Sequence, residues 1–137
     1  MITALDTNVL VDVLRADTEF GRSSIAALGL AADRGSLVAC DVVWSEVSSA
    51  FDHLDEGRRI LEHFGVAFSA MSSASAERAG RSWRTYRRAG GPRERMIADF
   101  LIAAHAHEQA EALLTRDRGF TRAYFGELTV IDPTAEG

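Results

Sequence analysis

The chain has 137 residues, of which 47% are hydrophobic, and this predicts a single globular domain over residues 1–137 with a core of ordinary size. All 15 basic residues are arginine, so chemistry that needs a lysine, such as the P-loop phosphate clamp or Schiff-base catalysis, is excluded. The lone cysteine, Cys40, excludes an intramolecular disulfide, and no apolar run is long enough to predict a membrane span.

Short apolar, β-prone runs alternate with helical patterns along the chain. The predicted strands are 2–5, 37–40, 66–68, 112–114 and 128–131. The predicted helices cover about 8–16, 19–34, 42–55, 56–64, 74–89 and 94–109. Because helices separate the strands, right-handed crossovers and a parallel sheet covered on both faces are expected. The predicted fold class is therefore α/β with three layers.

The first predicted strand begins at the N-terminus, in MITALDTNVL. No basic stretch precedes its apolar run, so this segment does not have the pattern of a signal peptide. Together with the single cysteine and the absence of a predicted membrane span, this favours a cytoplasmic protein with no membrane partner.

Two acids directly follow predicted strands: Asp6 in ITALDTN and Asp117 in ALLTRD. Ligands of open α/β sheets gather beyond the carboxyl ends of the strands, so both acids are candidates for a functional site. Thr7 and Asn8 follow Asp6 and have two open interpretations. They either cap the next helix or support the site as polar neighbours.

Two further acids lie within predicted helices. Asp99 stands in RMIADFLIAAHA, between Ile102 and Ala103 on the helical wheel, on a side that is otherwise apolar. An ionised carboxylate buried there without a partner is strongly unfavourable. Glu46, in DVVWSEVSSAFDHL, lies at the edge of an apolar stripe beside Val43. Taken alone, Glu46 is more simply a boundary residue with its carboxylate in water.

Four carboxylates that converge at one edge of a sheet repel one another, so such a cluster persists only if it is protonated or neutralised by a cation. Lysine is absent and the arginines concentrate elsewhere. Oxygen ligands, without cysteine or a suitable histidine pair, favour Mg²⁺ or Mn²⁺. An ion of this kind binds substrate phosphate oxygens and activates a water.

The charge of the chain is unevenly distributed. Residues 78–95 hold seven arginines and one acid, Glu94, so this segment carries +6 and the rest of the chain −11, for a net charge of −5. On the predicted helix, Trp83 and Tyr86 share the inward face. The arginines of the opposite side are Arg78, Arg81, Arg84 and Arg88, with Arg87 at its margin. This side either contacts the phosphates of a polyanion, docks a protein partner, or is a solvated basic face.

The motifs ALDTNVL, SEV, ADFLIAAHA and LLTRDRGF occur here in this order and spacing. In this the chain resembles a PIN-domain ribonuclease, and more closely the VapC toxins of bacterial VapBC toxin–antitoxin pairs, over essentially its whole length. The resemblance implies a PIN-like domain with a parallel five-stranded sheet between helices. It also implies Mg²⁺- or Mn²⁺-dependent cleavage of RNA to 5′-phosphate and 3′-hydroxyl ends. The implied partners are RNA, a VapB-like antitoxin and a second copy of the chain.

Matched position by position, the acidic site of that family falls on Asp6, Glu46, Asp99 and Asp117. Thr115 and Asn8 match its usual supporting polar positions, and Thr7 is also expected to support the site. The metal ligands implied by the resemblance are Asp6, Asp99 and Asp117. Glu46 is expected to hold the ion directly or through a water, or to accept a proton. The sequence departs from the pattern at Gly119, where many relatives carry a further acid, and this bears on a second ion more than on the first.

The leading hypothesis is a type II toxin with endoribonuclease activity, in which water activated at the ion attacks an RNA phosphodiester. On this hypothesis the arginines contact RNA or the antitoxin. One alternative is a catalytically silent RNA- or protein-binding module on the same fold. Another is a small phosphatase of a different α/β family. The lack of lysine argues against the phosphatase, as does Asn8, which stands where that chemistry places a second aspartate.

Overall fold

A computed structural model describes residues 1–53, 55–91 and 97–134. Its strands are β1 (Ile2–Leu5), β2 (Ser36–Cys40), β3 (Val66–Ser69), β4 (Ala112–Leu114) and β5 (Thr129–Ile131). Neighbouring strands are all parallel, in the order β3-β2-β1-β4-β5. The predicted parallel five-stranded sheet is therefore confirmed, and each strand begins and ends within one residue of its predicted bounds.

The helices in the described part of the chain are α1 (Thr7–Leu14), α2 (Gly21–Arg34), α3 (Asp41–Ser49), α4 (Glu56–His63), α5 (Ser73–Arg88), α6 (Ile97–Gln109) and α7 (Arg118–Tyr124). The prediction missed α7, a short helix that contains a glycine. Positions 94–96 of the predicted sixth helix lie outside the described residues. None of the helices seen in these ranges combines the length and the apolar character needed to cross a membrane.

Helix α3 ends at Ser49, six residues before its predicted end. Three of its serine hydroxyls donate hydrogen bonds of 2.7–2.8 Å to carbonyl oxygens three or four residues earlier: Ser45, Ser48 and Ser49. Such bonds compete with the main-chain hydrogen bonds of a helix. The early end is consistent with this competition, since apolar periodicity alone predicted that the helix continues.

An aromatic cluster joins α5, α6 and α7 on one side of the sheet. Phe100 of α6 is fully buried, and its ring centroid lies 5.2 Å from that of Trp83 and 5.3 Å from that of Tyr86, both on α5. Phe120 of α7 contacts the same ring at 4.9 Å. The predicted inward orientation of Trp83 and Tyr86 is confirmed. Burial of Phe100 fixes the rotation of α6 and thereby the direction in which Asp99 points.

Candidate active site

The strand order reverses between β1 and β4, because β2 and β3 lie on one side of β1 while β4 and β5 lie on the other. A crevice opens at such a switch point, beyond the carboxyl ends of the two strands. Asp6 directly follows β1 here, and the segment 115–117 directly follows β4. The amide of Asp6 donates a hydrogen bond of 3.0 Å to the carbonyl oxygen of Leu114, which holds the two strand ends together.

An open pocket of about 390 Å³ occupies this crevice. All four predicted carboxylates line it: Asp6, Glu46, Asp99 and Asp117. Two predicted supporting residues, Thr7 and Asn8, also line it, as do four residues that were not predicted: Val11, Asp12, Ile102 and Arg116. Asp99 is half-buried rather than enclosed among apolar side chains, because its side of α6 borders the pocket next to Ile102.

Thr115 connects two of the carboxylate residues. Its side chain is fully buried, and its hydroxyl donates a hydrogen bond of 2.7 Å to Oδ2 of Asp6. The hydroxyl oxygen of Thr115 in turn accepts a hydrogen bond of 2.9 Å from the amide of Asp117. Thr115 therefore ties the loop after β4 to the end of β1.

Thr7 and Asn8 contact site residues and do not cap α1. Asp6 occupies the N-cap position, and no side chain accepts a capping hydrogen bond there, so the capping interpretation is wrong. The hydroxyl of Thr7 donates to Oε1 of Glu46 at 2.8 Å, which holds this exposed carboxylate at the pocket. The side-chain amide of Asn8 lies 3.5 Å from Oδ2 of Asp6, and its Oδ1 accepts from the amide of Arg116 at 3.3 Å.

The electrostatics of the pocket favour a cation. Burial raises the pKa of Asp6 from 3.8 to about 6, the hydrogen bond from Thr115 opposes this rise, and the charges of Asp99 and Asp117 add to it. Near neutral pH, the ionised form of Asp6 is therefore destabilised by desolvation and by the negative charges of Asp99 and Asp117. A bound cation relieves both effects.

Arg116, which also lines the pocket, is paired with another acid. Nε and Nη2 of Arg116 donate to the two carboxylate oxygens of Asp12, at 2.7 and 3.1 Å. Neither residue was predicted, although the sequence offers a signal for both. Asp12 stands one helical turn after Asn8 inside an apolar run, and Arg116 lies between two predicted site positions, 115 and 117.

The donor set of the pocket fits Mg²⁺ or Mn²⁺, since it consists of carboxylate, hydroxyl and amide oxygens. In the ranges that the structure describes, no three His, Cys, Asp or Glu side chains are grouped closely enough to form a metal site by themselves. An open arrangement of this kind suits Mg²⁺, which commonly takes one or two protein carboxylates and completes its shell with water and substrate phosphate oxygens.

Helix α5 carries a basic surface. Four of its arginines are exposed and define what we call the arginine surface: Arg81, Arg84, Arg87 and Arg88. Arg78 was predicted on the same side of the helix, and it forms an ion pair with Glu108 of α6. The guanidinium of Arg87 lies 5.9 Å from the ring centroid of Trp83, at the rim of a shallow cavity of about 380 Å³. Two further arginines of this segment, at 93 and 95, lie outside the described residues.

The arginine surface and the acidic pocket lie at the same end of the α5–α6 pair. These helices run antiparallel, because Ser75 near the start of α5 donates a hydrogen bond of 2.7 Å to Gln109 at the end of α6, while Tyr86 packs on Phe100. The C-terminal half of α5 therefore lies beside the first turn of α6, which carries Asp99.

Solved structures of similar fold include toxin–antitoxin complexes. VapBC2 from Rickettsia felis, bound to a promoter DNA fragment, matches with a TM-score of 0.74 and 22% identity over 96% of this chain and 98% of that one. VapBC-1 from nontypeable Haemophilus influenzae matches with a TM-score of 0.74 and 19% identity, over 98% and 100%. FitAcB from Neisseria gonorrhoeae matches with a TM-score of 0.64 and 21% identity, over 97% and 98%.

These identities show likeness of fold, and the likeness extends over nearly the full length of each chain. No curated protein matches the sequence significantly. The model of the PIN domain family matches residues 3–126, which include all four pocket carboxylates. The predicted resemblance is thus confirmed at the level of the family, and the chain belongs to the PIN domain family.

Proposed function

We propose that the chain is a Mg²⁺- or Mn²⁺-dependent endoribonuclease and the toxin component of a type II toxin–antitoxin pair. It hydrolyses RNA phosphodiesters to 5′-phosphate and 3′-hydroxyl ends. The observation that carries this proposal is the meeting of Asp6, Asp99 and Asp117 at one open pocket, where the pKa of Asp6 is raised to about 6. Membership of the PIN domain family supports it.

Each pocket residue has a role in this proposal. Asp6, Asp99 and Asp117 hold the ion, and Thr115 and Asn8 orient the Asp6 carboxylate through the hydrogen bonds described above. When bound, the ion supplies a water of lowered pKa and shields the phosphodiester charge. Glu46, exposed at the pocket and held by Thr7, accepts a proton or binds the ion through a water.

The proposed partners follow from the two charged surfaces and from the neighbours in fold. The arginine surface contacts phosphates of the RNA. Because structures of similar fold include VapBC complexes, we also propose a VapB-like antitoxin and a homodimer of this chain, in the cytoplasm. We also propose that residues 1–137 form a single PIN domain.

Cleavage assays with purified protein test this proposal. Wild-type protein is incubated with a structured RNA and with DNA of the same sequence, in the presence of Mn²⁺ or EDTA. The expected result is cleavage of the RNA and not of the DNA, and only in the presence of Mn²⁺. The 3′-hydroxyl ends of the products are expected to be joined to an adaptor by RNA ligase without prior phosphatase treatment. Binding of the RNA without cleavage at any metal concentration would support a silent binding module instead.

A further inference from the structure

Two consecutive residues after β4 are bound to the segment that begins at Asp6. Thr115 donates to Asp6, the amide of Arg116 donates to Asn8, and the guanidinium of Arg116 binds Asp12. Asn8 and Asp12 lie one turn apart on α1, so they present their acceptors on the same side of the helix. One side of α1 therefore binds both the main chain and the side chain of Arg116.

The Asp12–Arg116 pair is fixed from several directions. Both carboxylate oxygens of Asp12 accept from Arg116, and Oδ2 also accepts from the hydroxyl of Ser24 on α2 at 3.1 Å. Asp12 is only 4% exposed. The guanidinium also lies 4.2 Å from the ring centroid of Phe20. A bidentate contact with a stacked guanidinium defines both the position and the plane of the arginine side chain.

Burial of an ion pair contributes little net stability on average, since desolvation of the charges offsets their attraction. This pair stands at the pocket wall, immediately before Asp117 in the chain. It also neutralises Asp12, so this carboxylate does not add to the negative charge of the pocket. A positional role explains both features better than a stabilising one.

We propose that Asp12 and Arg116 are positioning residues, which fix the loop after β4 so that Asp117 faces Asp6 and Asp99 across the pocket. The inference rests on the proposed function, because it assigns this loop to a metal-dependent cleavage site. Neither residue needs to touch the substrate. Disruption of the pair is expected to loosen Asp117 and to weaken both metal binding and cleavage, while leaving RNA binding nearly unchanged.

The test compares Arg116→Lys with Arg118→Lys. Lysine keeps the charge but cannot make the bidentate contact. Arg118 is an exposed arginine two positions later, whose Nε lies 3.9 Å from Oδ2 of Asp132. The Arg116 variant is expected to bind Mn²⁺ roughly 10-fold more weakly and to show a kcat about 10- to 100-fold lower, with little change in KM. Hydrogen exchange of the Asp117 amide, measured without metal, is expected to speed up. The Arg118 variant is expected to resemble the wild type in all three measurements.

A double variant keeps the test decisive if Arg116→Lys does not fold. Asp12→Asn combined with Arg116→Gln replaces the ion pair with a neutral hydrogen-bonded pair, and its Asp117 amide is expected to exchange faster than that of the wild type; exchange equal to the wild type would overturn the inference. Unchanged exchange at Asp117 in a folded Arg116→Lys protein overturns the inference, as does faster exchange with an unchanged kcat. A wild type that neither binds Mn²⁺ nor cuts RNA overturns the proposed function instead. In that event the exchange comparison still decides whether the pair fixes the loop.

Discussion

The hydroxyl of Thr115 lies 2.7 Å from Oδ2 of Asp6 and donates to it, so a buried side chain at the end of β4 supports a carboxylate at the end of β1. This hydrogen bond favours the ionised form of Asp6 and opposes the effect of burial on its pKa. The pocket thus contains its own means of keeping Asp6 ionised near neutral pH.

Replacing Thr115 with valine removes this donor at nearly constant volume. At pH 7.5, Thr115→Val is expected to lower the free energy of unfolding by about 1–3 kcal/mol, because the charged carboxylate of Asp6 loses one of its hydrogen bonds. Thr3 provides a matched control, because it is equally buried and its hydroxyl has no hydrogen-bond partner among the described residues. Thr3→Val is expected to be neutral or stabilising. Equal decreases for the two variants in urea unfolding would contradict the role given to Thr115.

The raised pKa of Asp6 gives the metal-free protein a specific pH dependence. Folding raises this pKa from 3.8 to about 6, so the folded state binds the proton more tightly and stability is lost as pH rises through this range. Since Asp6 is partly exposed, the free energy of unfolding is expected to decrease by about 1–2 kcal/mol, which is less than the change in pKa alone would give. In EDTA, Asp6→Asn is therefore expected to be more stable than the wild type at pH 7.5.

The same comparison at about pH 3.5 provides the control. Below the unfolded pKa of 3.8, position 6 is mostly neutral in both proteins, so the advantage of Asp6→Asn is expected to largely vanish there. Urea unfolding at several pH values between these two conditions measures the difference in free energy of unfolding between the wild type and Asp6→Asn. Contributions from other titrating groups cancel in this difference. A difference that does not change with pH would show that Asp6 does not titrate in this range.

Charge reversal on the arginine surface tests its proposed contact with RNA. Arg84→Glu combined with Arg88→Glu is expected to raise KM for RNA roughly 10-fold or more. The slope of the logarithm of the binding constant against the logarithm of the salt concentration is expected to become shallower by about 1 for each phosphate that is no longer bound. The control makes the same change in charge on α2, with Arg22→Glu and Arg34→Glu, which are also exposed. If both double variants change KM equally, the effect belongs to net charge and not to this surface.

The fold was largely predictable because apolar runs and periodicity determine where buried strands and helices occur. The short helix α7 was missed since its few residues include Gly119 and show no clear apolar period. The early end of α3 coincides with hydroxyl-to-carbonyl bonds such as that of Ser48, which apolar periodicity does not report.

The sequence predicted which acids and which polar neighbours lie at the pocket, but not the pair of Asp12 and Arg116. Asp6 and Asp117 follow strands that pair in the sheet, and strand order alone brings them to one edge. The contact between Asp12 and Arg116 joins residues 104 positions apart, so the local sequence draws attention to each residue but does not indicate that the two are paired. Asp99 needed the structure as well, because the helical wheel indicated burial while the side chain borders an open pocket.

The central claim is that the pocket carboxylates hold a divalent ion for RNA cleavage, and Asp99→Asn tests it most directly. The measurement is RNA cleavage by this variant at defined Mn²⁺ concentrations, with melting temperatures recorded in Mn²⁺ and in EDTA. Asp33→Asn, on the exposed side of α2, is the control. We expect Asp99→Asn to fold, to lack the rise in melting temperature that Mn²⁺ gives the wild type, and to cut RNA at least about 100-fold more slowly. Near-wild-type cleavage by folded Asp99→Asn would contradict the account.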